Sequence, residues 1–258
     1  TGAVCKNLIN TFWTQMNDIK AGVGRPSGVE KRQFKRVAIL GAGMMGAGIA
    51  WACASRGIAC VLKDVSIEAA EKGKAYSANL IDKQIARGRA DGAKKTALLG
   101  LIATTDDYAE LADCDLVIEA VFESRPLKAE VTAASEAVIA GSAVFASNTS
   151  TLPITGLAEA SARPEQFIGL HFFSPVDKMP LVEIIVGAAT NDKTLAEAYD
   201  FVQQIGKTPI VVNDSRGFYT SRVFGTYTAE GMAMVEEGIA PASIENGAYL
   251  AGYPVGPL

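Results

Sequence analysis

Two groups of residues in this chain have types and spacing that could do chemistry. The first is Gly41-Ala42-Gly43-Met44-Met45-Gly46, set between the apolar run Arg36 to Leu40 and an alanine-rich helical segment. A second apolar run, Ala59 to Lys63, follows and is closed by Asp64. Gly41 suits a tight turn, Gly43 lets backbone approach a pyrophosphate, and Gly46 lets the helix pack close to the strand. Phosphates then rest on the free N–H groups of the helix start, where the dipole favours negative charge. Asp64, 18 residues past Gly46, is placed to accept both hydroxyls of an adenosine ribose. A glycine-rich loop of some other α/β protein is the competing reading. The flanking strand, helix and acidic second strand favour dinucleotide binding. A 2′-phosphate would meet the Asp64 carboxylate, which argues for NAD over NADP, although Lys63 beside it pulls the other way.

The second group centres on His171, the one histidine in the chain. It follows the strand Phe167 to Leu170, and in an open parallel sheet ligands bind beyond the carboxyl ends of the strands. Glu183 lies 12 residues on, near the start of another strand, and a loop of that length can fold back to the imidazole. Such a pair suits alcohol oxidation, in which a hydroxyl proton must leave as hydride departs. A neutral imidazole takes that proton, and the carboxylate fixes the ring tautomer and stabilises the imidazolium. From spacing alone, a single histidine beside two phenylalanines is more often a hydrogen-bonded core residue. Ser147-Asn148-Thr149-Ser150 ends a further strand and faces the same crevice or caps the next helix. Glu119, Glu123 and Lys128 either border the cofactor or cap and solvate a helix.

Composition narrows the field. With 49% hydrophobic and 20% charged residues, the 258-residue chain is ordinary globular material, and its net charge of −4 gives no support for nucleic-acid binding. Four cysteines without CxxC spacing and a single histidine argue against a metal site and read as reduced thiols of a cytoplasmic protein. The uncharged stretch from Val37 to Ser55 is long enough to imitate a membrane span, but its glycines and strand-turn-helix pattern favour a nucleotide fold. No secretory signal is visible.

These residues need a frame to position them. Strands are expected near 102–104, 116–119, 144–147, 167–170, 182–186 and 209–212, with helices between, notably 67–88, 94–101, 126–138 and 192–205. Alternating β and α elements predict a doubly wound, mostly parallel sheet over 35–214. Residues 215–258 read as the start of an all-α domain. Residues 6–20 form an amphipathic helix with Leu8, Phe12, Met16 and Ile19 on one stripe, followed by a glycine-rich flexible tether. Together 1–34 read as a helix and linker from a preceding domain, with a self-contained terminal helix as the alternative.

Several of these motifs, in order, resemble L-3-hydroxyacyl-CoA dehydrogenase: Leu40 to Gly46, Ser147 to Ser150, Gly169 to Pro175, Gly217-Phe218-Tyr219, and Gly252 to Pro257. The resemblance spans about residues 35 to 258, and the preceding helix and linker resemble a bacterial multifunctional fatty-acid oxidation α-subunit. It implies a Rossmann domain, NAD as cofactor, and oxidation of L-3-hydroxyacyl-CoA to 3-ketoacyl-CoA in β-oxidation. His171 becomes the general base and Glu183 its partner. Ser150 matches the serine that touches substrate oxygen and nicotinamide. Asn148, Glu123 and Lys128 match positions near the nicotinamide or its ribose, and Met44 and Met45 fall in the phosphate-binding turn. The implied partners are acyl-CoA, an enoyl-CoA hydratase domain in the same parent chain, a thiolase subunit, and further copies of the chain.

Two residues depart from the family pattern. Ser174 stands where asparagine is common, and Ser221 stands where the active-site set has asparagine. In the family the helical domain continues past Gly-Pro, so a piece ending there is expected to bind NAD and turn over slowly, if at all. Tyr219, Phe224, Tyr227, Met232 and Met234 are then expected to form an apolar patch that self-associates. Lys83, Arg87, Arg89, Lys94 and Lys95 could receive CoA phosphates or form a solvated basic face. Competing readings are an NAD-binding scaffold without activity and a dehydrogenase of another hydroxy acid.

Overall fold

A computed structural model describes residues 2–258. Five parallel strands wind the first half of the sheet: β1 (Arg36–Leu40), β2 (Ala59–Lys63), β3 (Ile102–Thr105), β4 (Leu116–Glu119) and β5 (Val144–Ser147). The second half adds β6 (Phe167–Phe172), β7 (Leu181–Val186) and β8 (Thr208–Asn213). Their order is β3-β2-β1-β4-β5-β6-β7-β8, all parallel except that β7 runs antiparallel to β6. Helices cover both faces. They are α3 (Met44–Ala54), α4 (Ile67–Ala86), α5 (Gly92–Gly100), α6 (Arg125–Glu136), α7 (Ile154–Ala158) and α8 (Asp192–Gln204). β1, β4 and β5 are buried almost without break because each is covered on both faces, which is why their sequences read as continuous apolar runs. The strand order reverses at β1, whose neighbours are β2 and β4, and that reversal opens a crevice at the strands' carboxyl ends.

The chain start is helical as expected, but the segment after it is not flexible. Helix α1 (Ala3–Ile9), a π-helical turn (Asn10–Gln15) and α2 (Met16–Ala21) run continuously, with Phe12 and Trp13 each 70% exposed. The apolar stripe is real, but most of it faces solvent. Nor are residues 22–34 a loose tether. The Arg25 guanidinium makes two hydrogen bonds to Asp200 of α8 (2.7 and 2.8 Å) and also donates to the carbonyls of Pro26, Val29 and Glu30. Arg32 pairs with Glu197 at 2.7 Å, and the Gln204 side chain bonds both the N–H and the C=O of Phe34. Glycine content marks where this segment bends, whereas charged partners on α8 fix its path.

After β8, α9 (Thr220–Glu236) and α10 (Pro241–Leu250) form a helical pair. Phe224 and Met232 are exposed as expected, but Tyr227 is not orphaned. Its ring stacks on Tyr253 at 4.7 Å and its hydroxyl donates to the Val255 carbonyl. All four cysteines are free thiols, Cys53, Cys60 and Cys114 buried and Cys5 exposed. Burial pushes the Cys60 thiol up to about 12, which makes it a poor nucleophile. No helix among the described residues is long and apolar enough to cross a membrane.

Candidate active site

The glycine turn is built as close packing demands. Gly41 has φ +92°, donates to the Lys63 carbonyl at 2.8 Å, and lies so near β4 that a Cβ would fall 2.7 Å from the Ala120 oxygen. A Cβ on Gly46 would meet the Gly41 oxygen at 1.8 Å, so only glycine lets α3 start this close to β1. Gly43 differs: a Cβ there would meet no protein atom within 4 Å. Its space lies over the start of α3, where backbone N–H groups are free for phosphate oxygens.

Asp64 completes this cradle. Its carboxylate accepts from the Ala42 N–H at 2.6 Å and the Val65 N–H at 2.7 Å. A carboxylate has about four acceptor positions, so capacity remains for ribose hydroxyls. Beside it lies a cavity of about 460 Å³ lined by Gly43, Met44, Val121, Leu127 and Val131, an apolar slot of the kind an adenine ring fills. Lys63 is drawn aside, its ammonium 4.0 Å over the Tyr108 ring and bonded to the Asp64 carbonyl. The residues present therefore fit a dinucleotide.

Lys128 and Glu119 form a buried ion pair rather than a solvated helix end, with the exposed Glu123 at its rim. Lys128 is 2% exposed and donates to both Glu119 oxygens at 2.8 and 2.9 Å, with Glu123 at 3.2 Å. Glu119 also accepts from the Val121 N–H and the Ser147 hydroxyl, so its charge is well compensated. Glu123 takes the Thr149 hydroxyl and the Ser150 N–H. Burial pushes the Glu123 carboxyl up, but the Thr149 hydrogen bond and the Lys128 charge outweigh it and hold the group below its ordinary range. The cluster ties the end of β4 to α6 and to the loop after β5. Thr149 caps the turn before Pro153, its hydroxyl accepting the Thr151 and Leu152 N–H groups at 3.3 and 3.0 Å, while α7 itself is capped by Asp214 through the Ile154 and Thr155 N–H groups.

His171 lies within β6 rather than after it, one residue before the strand ends. Glu183 is its direct cross-strand partner on antiparallel β7, at the third position of that strand. Adjacent in register and on the same face, the two side chains meet with His171 Nδ1 2.7 Å from Glu183 Oε2. Glu183 is fully buried, and the start of α9 holds it. Its Oε1 accepts the N–H groups of Tyr219 (3.2 Å) and Thr220 (2.8 Å), and its Oε2 accepts the Thr220 hydroxyl (2.8 Å). Burial would push this carboxyl up. The hydrogen bonds from His171 and Thr220 override it and keep the group below the usual carboxylate range. An ionised carboxylate can only accept, so Nδ1 must donate and Nε2 carries the lone pair. The His171 side chain is 9% exposed, and the Phe173 ring lies 4.4 Å away.

The two groups share one end of the sheet. β1 and β6 are separated by three strand spacings, roughly 14 Å, a span that an extended dinucleotide covers. The loop leaving β6 closes part of that gap, since the Ser174 hydroxyl reaches the Met44 sulfur at 3.5 Å. Asn148 stands between, its side-chain oxygen accepting the Phe172 N–H at 2.9 Å and its amide left as a donor. Ser150 is exposed on the same rim, three residues past the end of β5. Ser221 sits half-buried in the first turn of α9, one residue past the threonine that bonds Glu183. Thr220 is the site residue that the sequence reading missed. A hydroxyl residue opening a helix straight after a Gly-Phe turn was the available signal. The basic residues 83–95 remain on the surface, with Lys95 paired to Asp82 at 2.7 Å.

Comparison with known proteins identifies the family. The family model described as 3-hydroxyacyl-CoA dehydrogenase, NAD binding domain, matches residues 36–215, and that for the C-terminal domain matches residues 217–258. The chain is similar to (S)-3-hydroxybutyryl-CoA dehydrogenase PaaH1 from Ralstonia eutropha, at 38% identity and TM-score 0.85 over 88% of this chain and 81% of that one. FadB2 from M. tuberculosis gives 33% identity and TM-score 0.83 with the same coverage. The 3-hydroxybutyryl-CoA dehydrogenase of Escherichia coli K12 also gives 33% and 0.83, with 48% of that longer chain covered. With a cradle that fits NAD and a family model spanning most of its length, the chain belongs to the 3-hydroxyacyl-CoA dehydrogenase family of NAD-dependent oxidoreductases.

Proposed function

We propose that this protein interconverts L-3-hydroxyacyl-CoA and 3-ketoacyl-CoA in fatty-acid β-oxidation, with His171 as the general base and Glu183 as its partner. One observation carries the reading: the 2.7 Å contact between His171 Nδ1 and Glu183 Oε2 at the carboxyl end of β6. When bound, NAD supplies a hydride acceptor for the carbinol carbon. His171 Nε2 removes the hydroxyl proton as that carbon is oxidised, a contribution of about 10²–10⁴-fold for a well-placed base. Glu183 keeps Nε2 as the acceptor and stabilises the imidazolium that results. Ser150, Asn148 and the Ser221 hydroxyl orient the substrate oxygen and the nicotinamide edge from the β5 and α9 rims. The Lys128 cluster holds the β4 and β5 loops around them. Phe173 and Phe218 keep water from the imidazole.

The CoA thioester as substrate class is supported by the family and by the hydroxybutyryl-CoA enzymes it resembles. Lys83, Arg87, Arg89, Lys94 and Lys95 are proposed to meet the CoA phosphates. We place the protein in the cytoplasm. The enoyl-CoA hydratase domain and thiolase subunit follow from the resemblance of the first 34 residues, and the exposed α9 residues suit a second copy. The test is acetoacetyl-CoA-dependent oxidation of NADH by the full-length protein. Consumption of NADH is expected. Normal NADH binding with no oxidation would refute the enzymatic reading.

A further inference from the structure

The geometry points to Thr220 as a positioning residue for the dehydrogenase reaction, its hydroxyl and N–H together holding Glu183 in the one orientation that aims His171. The inference rests on the roles proposed above for His171 and Glu183.

The path of the chain into α9 is costly and aimed. Gly217 has φ +75° and Phe218, a buried aromatic, has φ +48°, a left-handed conformation that L residues with a side chain seldom adopt. Two successive left-handed residues turn the Tyr219 and Thr220 N–H groups onto Glu183 Oε1. The Thr220 hydroxyl goes to the other oxygen, Oε2, the same atom that His171 Nδ1 meets. A hydroxyl facing an acceptor-only carboxylate must donate its proton, so Oε2 holds two donors and cannot swing away without losing both. The backbone N–H groups survive any side-chain substitution at residue 220, so the hydroxyl is the separable part. Among the described residues no charge other than His171 acts on Glu183. β8 sets Ile210 opposite Glu183, α9 contributes only N–H groups and the hydroxyl, and Arg222 further along bonds the Ser215 hydroxyl. Ser221, the neighbour to which family resemblance draws attention, makes no such contact with Glu183.

Removing one donor concentrates negative charge on Oε2, so the dyad keeps its proton to higher pH and the carboxylate gains freedom to rotate. Thr220→Val preserves shape and deletes the donor, whereas Thr220→Ser keeps it. The readout needs no cofactor, because a single histidine gives unambiguous imidazole signals in an NMR pH titration. In Thr220→Val the titration midpoint is expected to rise by roughly 0.5–1 pH unit, the scale set by one charge-assisted hydrogen bond shared between two groups. The acidic limb of kcat/KM against pH should move with it and kcat should fall roughly tenfold, while NADH affinity holds. Thr220→Ser should follow the wild type in each. A Thr220→Val protein that melts and titrates like the wild type would overturn the inference. His171→Gln run in parallel separates the two ideas: normal turnover there sinks the base assignment, whatever Thr220 does.

Discussion

Two glycines three residues apart make opposite predictions, and the difference comes from a single constructed atom. On Gly46 a Cβ would stand 1.8 Å from the Gly41 carbonyl oxygen. A carbon and a carbonyl oxygen pack at about 3.3 Å or more, so Gly46→Ala must open the turn by roughly 1.5 Å. The obstructing atom is backbone, and Gly41 is itself tied to Lys63 at 2.8 Å, so the clash has no easy relief. Overpacking of this kind costs about 3 kcal/mol, the upper part of the usual range. At roughly 2–4 °C per kcal/mol for a chain of this size, Tm should fall by about 6–12 °C. Gly43 has ordinary extended backbone, φ −65° and ψ −169°, and open space where a Cβ would go. Gly43→Ala should leave stability within about 0.5 kcal/mol. Yet the methyl occupies the approach to the α3 N-terminus, so NADH affinity should drop about tenfold or more, a loss of roughly 1.4 kcal/mol. Thermal melts with and without NADH read both effects. A Gly43→Ala protein with wild-type NADH stabilisation would show that the space above Gly43 is not where the pyrophosphate lies. An unchanged Tm for Gly46→Ala would contradict the close packing of α3 on β1.

Two further outcomes are expected. NADH should raise Tm more than NADPH because Asp64 meets the ribose and Lys63 is engaged over Tyr108; equal shifts would remove that reasoning. Acid should destabilise through Glu183, whose folded carboxyl lies below its ordinary value of 4.5. Its contribution is present above pH 4.5 and lost as pH falls further through the folded value, so Tm of Glu183→Gln should decline less over that window than wild type. Parallel declines would mean the carboxylate is not held as described.

The sequence made the sheet readable where burial is two-sided. Val37 to Leu40, Leu116 to Ile118 and Val144 to Ala146 could hardly be anything but central strands. The glycine turn and Asp64 were equally legible, because each constraint there is local. What escaped was direction and long-range polar contact. An apolar strand such as Val182 to Val186 looks the same whichever way it runs, so the antiparallel pairing that faces Glu183 with His171 left no local mark. The Arg25–Asp200 clamp joins residues 175 apart, and composition around Gly22 to Gly28 suggested looseness where charge imposes order. Thr220 reaches Glu183 across 37 residues and was overshadowed by its neighbour Ser221. Lys128 could be read either as bordering the cofactor or as solvating a helix, because nothing local tells that the buried Glu119 carboxylate waits beneath it.

Turnover of His171→Gln beside its NADH affinity probes the central assertion most directly, that one imidazole at the β6 rim moves the proton. Turnover should collapse by about 10²-fold or more while the NADH dissociation constant stays near that of the wild type. Turnover that survives the substitution would contradict that assertion, however well the cofactor still binds.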